Sequence, residues 1–270
     1  GLRDHLDVPV FEASGLWLFP GLIDMHAHLR EPGDEESETV RSGLRAALAG
    51  GVTTVGVMPN TTPPMDSLDQ VAGLLRRARR NGLARAVPIA AATLGRLGRK
   101  PVDFRGLGRE GIRAFSDDGD PVYDSGLLRE ALDTVAEFDG VIIEHPEDKH
   151  LSGGCVNLGR ISDELKVEGI PPEAETADVA RCMELACASR GRLHLTHLSL
   201  PRSLELARAD CFTGARVTVD VTPHHIALDE NALLEHGTMA KMNPPLRTRA
   251  QRMALADMVA SGMVDAVASD

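Results

Sequence analysis

Two histidines one residue apart, His26 and His28, end the apolar run GLWLFPGLI, and Arg30 follows them. Side chains alternate along a strand, so both imidazoles point the same way and reach one cation. Polar residues also end four other strand-like runs: Ser116-Asp117-Asp118-Gly119, Glu144-His145, Thr196-His197 and Asp270. Neutral imidazoles and carboxylates suit zinc, at about 2.0–2.2 Å. A carboxylate between two imidazole-held ions bridges them at roughly 3.5–4 Å separation. For His26, His28, His145 and His197 the joint placement at strand ends outweighs an ordinary surface role. His5, His150 and His236 read as surface residues, and His194, on the opposite strand face, as structural. His224 and His225 read equally as ligands or as packing residues behind them. The guanidinium of Arg30, just past the histidines, suits a carboxylate fork. Asn60, after Met58-Pro59, is on residue type alone as much a turn residue as a binding one.

These residues need strands to carry them. Strand-like runs rich in Val, Ile and Thr cover Leu22–Met25, Thr53–Met58, Arg85–Ala91, Ile112–Phe115, Val141–Glu144, Leu193–Thr196, Arg216–Val221 and Ala266–Ser269. Continuous apolar strands are those buried on both faces. Helical periodicity fills most intervals: Ser37–Leu48, Ser67–Arg80, Ser125–Phe138, Glu173–Ser189, Pro201–Arg208 and Arg249–Ser261. Several open on Ser or Thr and close near Gly, and Arg190-Gly191 reads as such a stop. Eight strands alternating with helices predict an α/β fold, a (β/α)8 TIM-like barrel with its chemistry at the carboxyl ends of the strands. An open doubly wound sheet is the runner-up, and its GxGxxG phosphate turn is absent.

The chain has 270 residues, 43% of them hydrophobic, enough for one large α/β domain or two smaller ones. A formal net charge of -11 argues against nucleic acid as a partner. None of the four cysteines forms a CxxC pair; they read as reduced thiols of a cytoplasmic protein, with Cys182, Cys187 and Cys211 as buried small hydrophobes. No stretch has the roughly 18 uninterrupted apolar residues of a membrane span.

The segments PGLIDMHAHLREPG, AGGVTTVGVMPNT, AFSDDG, EHPED, THLS, VTPHH and KMNPPLR resemble the class I dihydroorotases of the amidohydrolase superfamily. The resemblance runs from Pro20 to Asp270. It implies a metal-dependent hydrolase barrel with one or two zinc ions held by His26, His28, Asp118, His145, His197 and Asp270, with Asp117 the alternative to Asp118. It implies Asp270 as the catalytic acid–base residue. Arg30 and Asn60 would hold the substrate carboxylate, and Asn243 the ring amide. The implied reaction is the reversible cyclisation of N-carbamoyl-L-aspartate to dihydroorotate in pyrimidine biosynthesis, by a cytoplasmic homo-oligomer. Residues 1–19 would be a remnant of an amino-terminal β-sandwich region or linker, and 20–270 a barrel without its last helix, most of the sandwich being absent. A family histidine that helps hold substrate would follow Asp270. Two rivals remain. A hydantoinase- or allantoinase-like cyclic amidase would carry a carboxylated lysine after the fourth strand, where this sequence has SDDG. An inactive scaffold for aspartate carbamoyltransferase has no need of the retained ligand set.

Overall fold

Residues 10–270 are described by a computed structural model. In chain order it has β1 (Leu22–Ala27), α1 (Val40–Ala49), β2 (Val52–Val57), α2 (Leu68–Asn81), β3 (Arg85–Pro88), α3 (Phe104–Arg109), β4 (Ala114–Phe115) and α4 (Ser125–Ala136). Then come β5 (Val141–Glu144), β6 (Val156–Asn157), α5 (Arg160–Leu165), β7 (Gly169–Ile170), α6 (Glu173–Cys187), β8 (Arg192–Leu195) and α7 (Pro201–Ala207). The last are β9 (Arg216–Val221), α8 (Pro223–Ala227), α9 (Ala232–His236), α10 (Arg249–Ala260) and β10 (Ala266–Val267).

Among the described residues all the strand pairings are parallel, in a sheet of order β1-β2-β3, a sheet of order β10-β9-β8-β5-β4 and a separate pair β6-β7. Parallel neighbours need crossover segments, and helices supply them. The two larger sheets touch at both ends. Ala90 bridges Phe115 in parallel, and the Asp270 N–H donates to the His26 carbonyl at 3.0 Å.

The helices form where periodicity and caps agree. Thr39 and Ser42 make a capping box on α1, Thr248 and Gln251 another on α10, and the Asp124 carboxylate accepts from Gly126 and Leu127 N–H on α4. Each cap is worth about 1 kcal/mol. Gly82, at φ 58, closes α2 in the left-handed conformation that costs glycine least. Helix α1 buries Val40 and Leu44 against Val55 and Val57. Helix α4 buries Leu128, Leu132 and Val135 with Phe115, Ile142, Leu193 and Val219. Each such side chain contributes roughly 1.5–3 kcal/mol.

Several expectations change. Strand β4 starts at Ala114 rather than Ile112, because the Ile112 N–H closes back on the Leu107 carbonyl at the exit of α3. Gly191 is not the cap of α6, whose cap is Ala188. Gly191 instead allows a close approach: a Cβ there would lie 2.3 Å from the Leu132 carbonyl oxygen. Cys182 is buried, but Cys187 and Cys211 are exposed, being on the outer face of α6 and in the turn after α7. The excursion through β6, α5 and β7 is absent from the sequence reading. Residues 10–19 hold no helix or strand, and Trp17, Leu18 and Phe19 are exposed there. Residues 1–9 of the predicted 1–19 unit, His5 among them, lie outside the described residues. No described helix is long and apolar enough to cross a membrane.

Candidate metal centre

The carboxyl ends of the strands converge. His26 is on β1 and His28 just beyond it, Asp118 follows β4, His145 follows β5, His197 follows β8, and Asp270 follows β10. Among these six residues, two groups have donor atoms close enough for one ion each: His26, His28 and Asp118, and Asp118, His145 and His197. Asp118 belongs to both. Its Oδ1 lies 3.5 Å from His26 Nε2 and from His197 Nε2, and 3.9 Å from His145 Nδ1; its Oδ2 lies 3.5 Å from His28 Nε2. Asp270 Oδ1 lies 3.3 Å from His26 Nε2 and 2.9 Å from His28 Nε2.

The far side of three of these imidazoles faces a side-chain oxygen. His26 Nδ1 donates to Thr196 Oγ1 at 2.8 Å, and Thr196 donates to Asp220 at 3.1 Å. His28 Nδ1 donates to Asn60 Oδ1 at 2.8 Å. Glu147 Oε2 lies 3.4 Å from His145 Nε2. Such partners fix which ring nitrogen faces inward: Nε2 for His26 and His28, Nδ1 for His145.

The residues fit a cation. Asp118 is buried, and its Oδ1 has no hydrogen-bond partner. His145 Nδ1 and His197 Nε2 face one another at 2.9 Å, an arrangement that calls for a proton or a metal between them. Burial opposes charge on His26, but the Asp118 and Asp270 carboxylates outweigh it and raise the imidazole to about 9. Burial likewise opposes charge on Asp118, but His26 and His197 hold it well below the usual carboxylate range. Asp270 is also lowered, against its burial, chiefly by its bond to His28. The protein thus gathers two carboxylates at a point that demands positive charge. Metal binding at this centre is coherent with imidazole and carboxylate donors; the donor set favours no single ion over every other.

The centre floors a cleft of about 460 Å³. Arg30, Asn60, His224 and Asn243 also line it. Among the described residues, no hydrogen bond or ion pair engages the Arg30 guanidinium. Asn60 is less free than its predicted role requires, because its amide also donates to Asp118 Oδ2 at 3.2 Å. Asn243 Nδ2 lies 3.3 Å from His145 Nε2.

Other candidates lie elsewhere. Asp117 turns back from the centre and accepts from Ala92 N–H at 2.9 Å, Thr93 N–H at 3.0 Å and the Thr93 hydroxyl. His225 is buried away from the ligands, accepting from the Thr222 hydroxyl at 2.7 Å and donating through Nε2 to the Pro244 carbonyl at 2.9 Å. Burial pushes it down to about 3. His194 bonds Asp220 and Thr218, each at 2.8 Å. His150 and His236 are exposed. Sequence reasoning missed Asp220, which is buried and accepts from His194, Thr196 and the His197 N–H. The available signal was one acidic residue inside the apolar strand Arg216–Val221. It missed Glu147 as well, although that residue stands in the quoted EHPED.

The Dihydro-orotase-like family profile matches residues 15–203. A dihydroorotase from Caldanaerobacter subterraneus subsp. tengcongensis is 41% identical over 100% of this chain and 64% of its own length. One from Aquifex aeolicus is 39% identical over 98% of this chain and 63% of its own. The chain therefore spans less than two thirds of these curated relatives. Among solved structures, L-hydantoinase (dihydropyrimidinase) from Arthrobacter aurescens superposes with a TM-score of 0.78 at 22% identity, over 93% of this chain and 57% of that one. Dihydropyrimidinase from Brevibacillus agri gives 0.77 at 22% identity, over 98% and 60%. At such identities the likeness is one of fold.

Proposed function

The chain belongs to the dihydro-orotase-like family, and from that premise we propose that it is the metal-binding, catalytic part of a dihydroorotase. Residues 20–270 would form this unit, with eight parallel strands closing as a (β/α)8 barrel. The resident metal would be zinc, as one or two ions held by His26, His28, Asp118, His145, His197 and Asp270. The substrates would be N-carbamoyl-L-aspartate and dihydroorotate, and the protein a cytoplasmic homo-oligomer. An association with aspartate carbamoyltransferase belongs to the same proposal.

The observation that carries the reading is Asp118, shared by two groups of histidines at the end of the fourth strand. An aspartate there favours a dihydroorotase over a hydantoinase-like enzyme, for which the resemblance implies a carboxylated lysine. Zinc held by these side chains would supply Lewis acidity to the scissile carbonyl and lower the pKa of the attacking water. In the hydrolytic direction Asp270 takes a proton from that water and delivers it to the leaving ring nitrogen. Ring closure runs the same transfers backwards. Arg30 receives the substrate carboxylate in its guanidinium fork. Asn60 joins it only by giving up its bond to Asp118, and Asn243 holds the ring amide.

The test is a substrate panel on the purified, zinc-loaded protein. Turnover of dihydroorotate and carbamoyl aspartate, with hydantoin, dihydrouracil and allantoin at least about 100-fold slower in kcat/KM, is the expected outcome. Preference for any of the latter three would replace the reading with that of another cyclic amidase.

A further inference from the structure

We propose that Arg247 is a positioning residue that sets substrate affinity by holding Asn243 beside the ligand imidazoles. The inference rests on the dihydroorotase reading for its substrate, but its geometry is independent of that reading. Asn243 stands in residues 241–247, which form no helix or strand. Such a segment has no backbone ladder to fix its shape, so its side-chain anchors must do so.

Arg247 is a buried polar anchor of this segment. It is 3% exposed, and its guanidinium donates to Ser199 Oγ at 2.9 Å, Asn157 Oδ1 at 3.0 Å and Glu175 Oε2 at 3.2 Å. Glu175, also buried, accepts from the N–H groups of Ser199 at 3.1 Å and Leu200 at 3.2 Å, and from the Ser199 hydroxyl. Ser199 stands two residues after His197. The Arg247–Glu175 pair therefore joins two loops that meet at the cleft, one bearing Asn243 and the other His197. A second anchor lies next to Asn243, where His225 Nε2 donates to the Pro244 carbonyl. Asn243 is thus held in register with His145, from which its amide nitrogen is 3.3 Å.

A buried ion pair contributes little net stability over an apolar substitute, since desolvation offsets much of the attraction. Its effect here is geometric: three acceptors from three segments fit one planar fork. Lysine keeps the charge but cannot reach all three.

The experiment compares the full zinc-loaded protein with Arg247→Lys and with Ser199→Ala, which removes one of the three acceptors. Three quantities are read: steady-state constants for dihydroorotate, zinc content, and amide exchange of residues 241–247 relative to residues 40–49. Arg247→Lys is expected to raise KM about tenfold with kcat within about threefold, the pattern of lost substrate binding. Zinc content should hold, and exchange in 241–247 alone should quicken. Ser199→Ala should move KM and exchange in the same direction by a smaller factor, and it decides the matter if the lysine variant does not fold. Unchanged KM and unchanged relative exchange, with only thermal stability lowered, would overturn the proposal and leave Arg247 a packing residue. If the wild-type protein turns over neither dihydroorotate nor carbamoyl aspartate, the functional reading fails. The exchange comparison then still decides whether Arg247 holds the Asn243 segment.

Discussion

Asp117 and Asp118 differ by one position and by everything their carboxylates touch. Asp118 faces four imidazoles, whereas Asp117 binds the backbone of residues 92–93. Asp118→Asn removes the charge that both histidine groups share. The expected result is loss of most bound zinc after dialysis and a fall in kcat of at least about 1,000-fold, read by metal analysis and initial rates. Asp117→Asn should keep its zinc and lose about 1–3 kcal/mol of stability in urea, as a buried acceptor is weakened. Spacing alone could not choose between them, because both follow the strand and the choice depends on which way the chain turns after Ser116. Spacing did bring out His26 and His28, since strand alternation is a rule of the backbone.

The same site gives a pH dependence. The metal-free His26 imidazole is raised from 6.5 to about 9, against burial, by Asp118 and Asp270. A histidine raised on folding stabilises the metal-free protein fully below about pH 6.5, and that contribution is lost as pH climbs through about 9. On the proposed reading, a metal held by His26 Nε2 would displace this proton. Binding between pH 7 and 8 should release at least about one proton, with His26 and the likewise raised His197 both contributing; this is measurable by calorimetry in buffers of different ionisation enthalpy, and apparent affinity should rise with pH in this window. Proton release near zero would remove His26 from the ligand set.

At the scale of elements, the long helices and the strand ends were legible because periodicity and caps are local properties. Helix α3, FRGLGR, was not, because two of its six residues are glycines of poor helix propensity. The two-residue strands β6 and β7 carry too few residues for alternation to register. Backbone strain at the centre was equally invisible: Arg30, His197 and Asp270 have φ of 49, 41 and 58, values imposed by their surroundings on residues that resist them. Gly191 was visible as a residue but misread as a cap. With the Leu132 carbonyl only 2.3 Å from an added Cβ, Gly191→Ala must push α4 and β8 apart. A loss of about 1–3 kcal/mol, seen as a lower Tm at unchanged zinc per folded chain, is the expected outcome. An unshifted Tm would mean that the two elements separate freely.

Across the whole molecule, the candidate ligands come from both larger sheets. His26 and His28 belong to the sheet of β1, and the other four to the sheet of β4, β5, β8 and β10. An ion bound at Asp118 would therefore tie one sheet to the other beside the Asp270–His26 backbone bond. Zinc held there, at about 1,000 times its Kd, would stabilise the folded state by about 4 kcal/mol. Chelation should lower Tm by roughly 10 °C and quicken amide exchange at Ala27 and Met58 more than within α4; equal melting curves with and without chelator would separate the metal from the fold. Parallel, alternating architecture was readable in the sequence from its strand and helix order. The contacts between the sheets were not, since Ala90 and Phe115 look like any other buried residues.

Diffraction from the zinc-loaded protein on either side of the zinc absorption edge tests the central claim most directly. The expected result is anomalous density within bonding distance of Asp118 and of at least two among His26, His28, His145 and His197. The result that would contradict it is zinc density elsewhere only, such as at the other close donor group, Glu144, Asp178 and Cys182, with none in reach of Asp118.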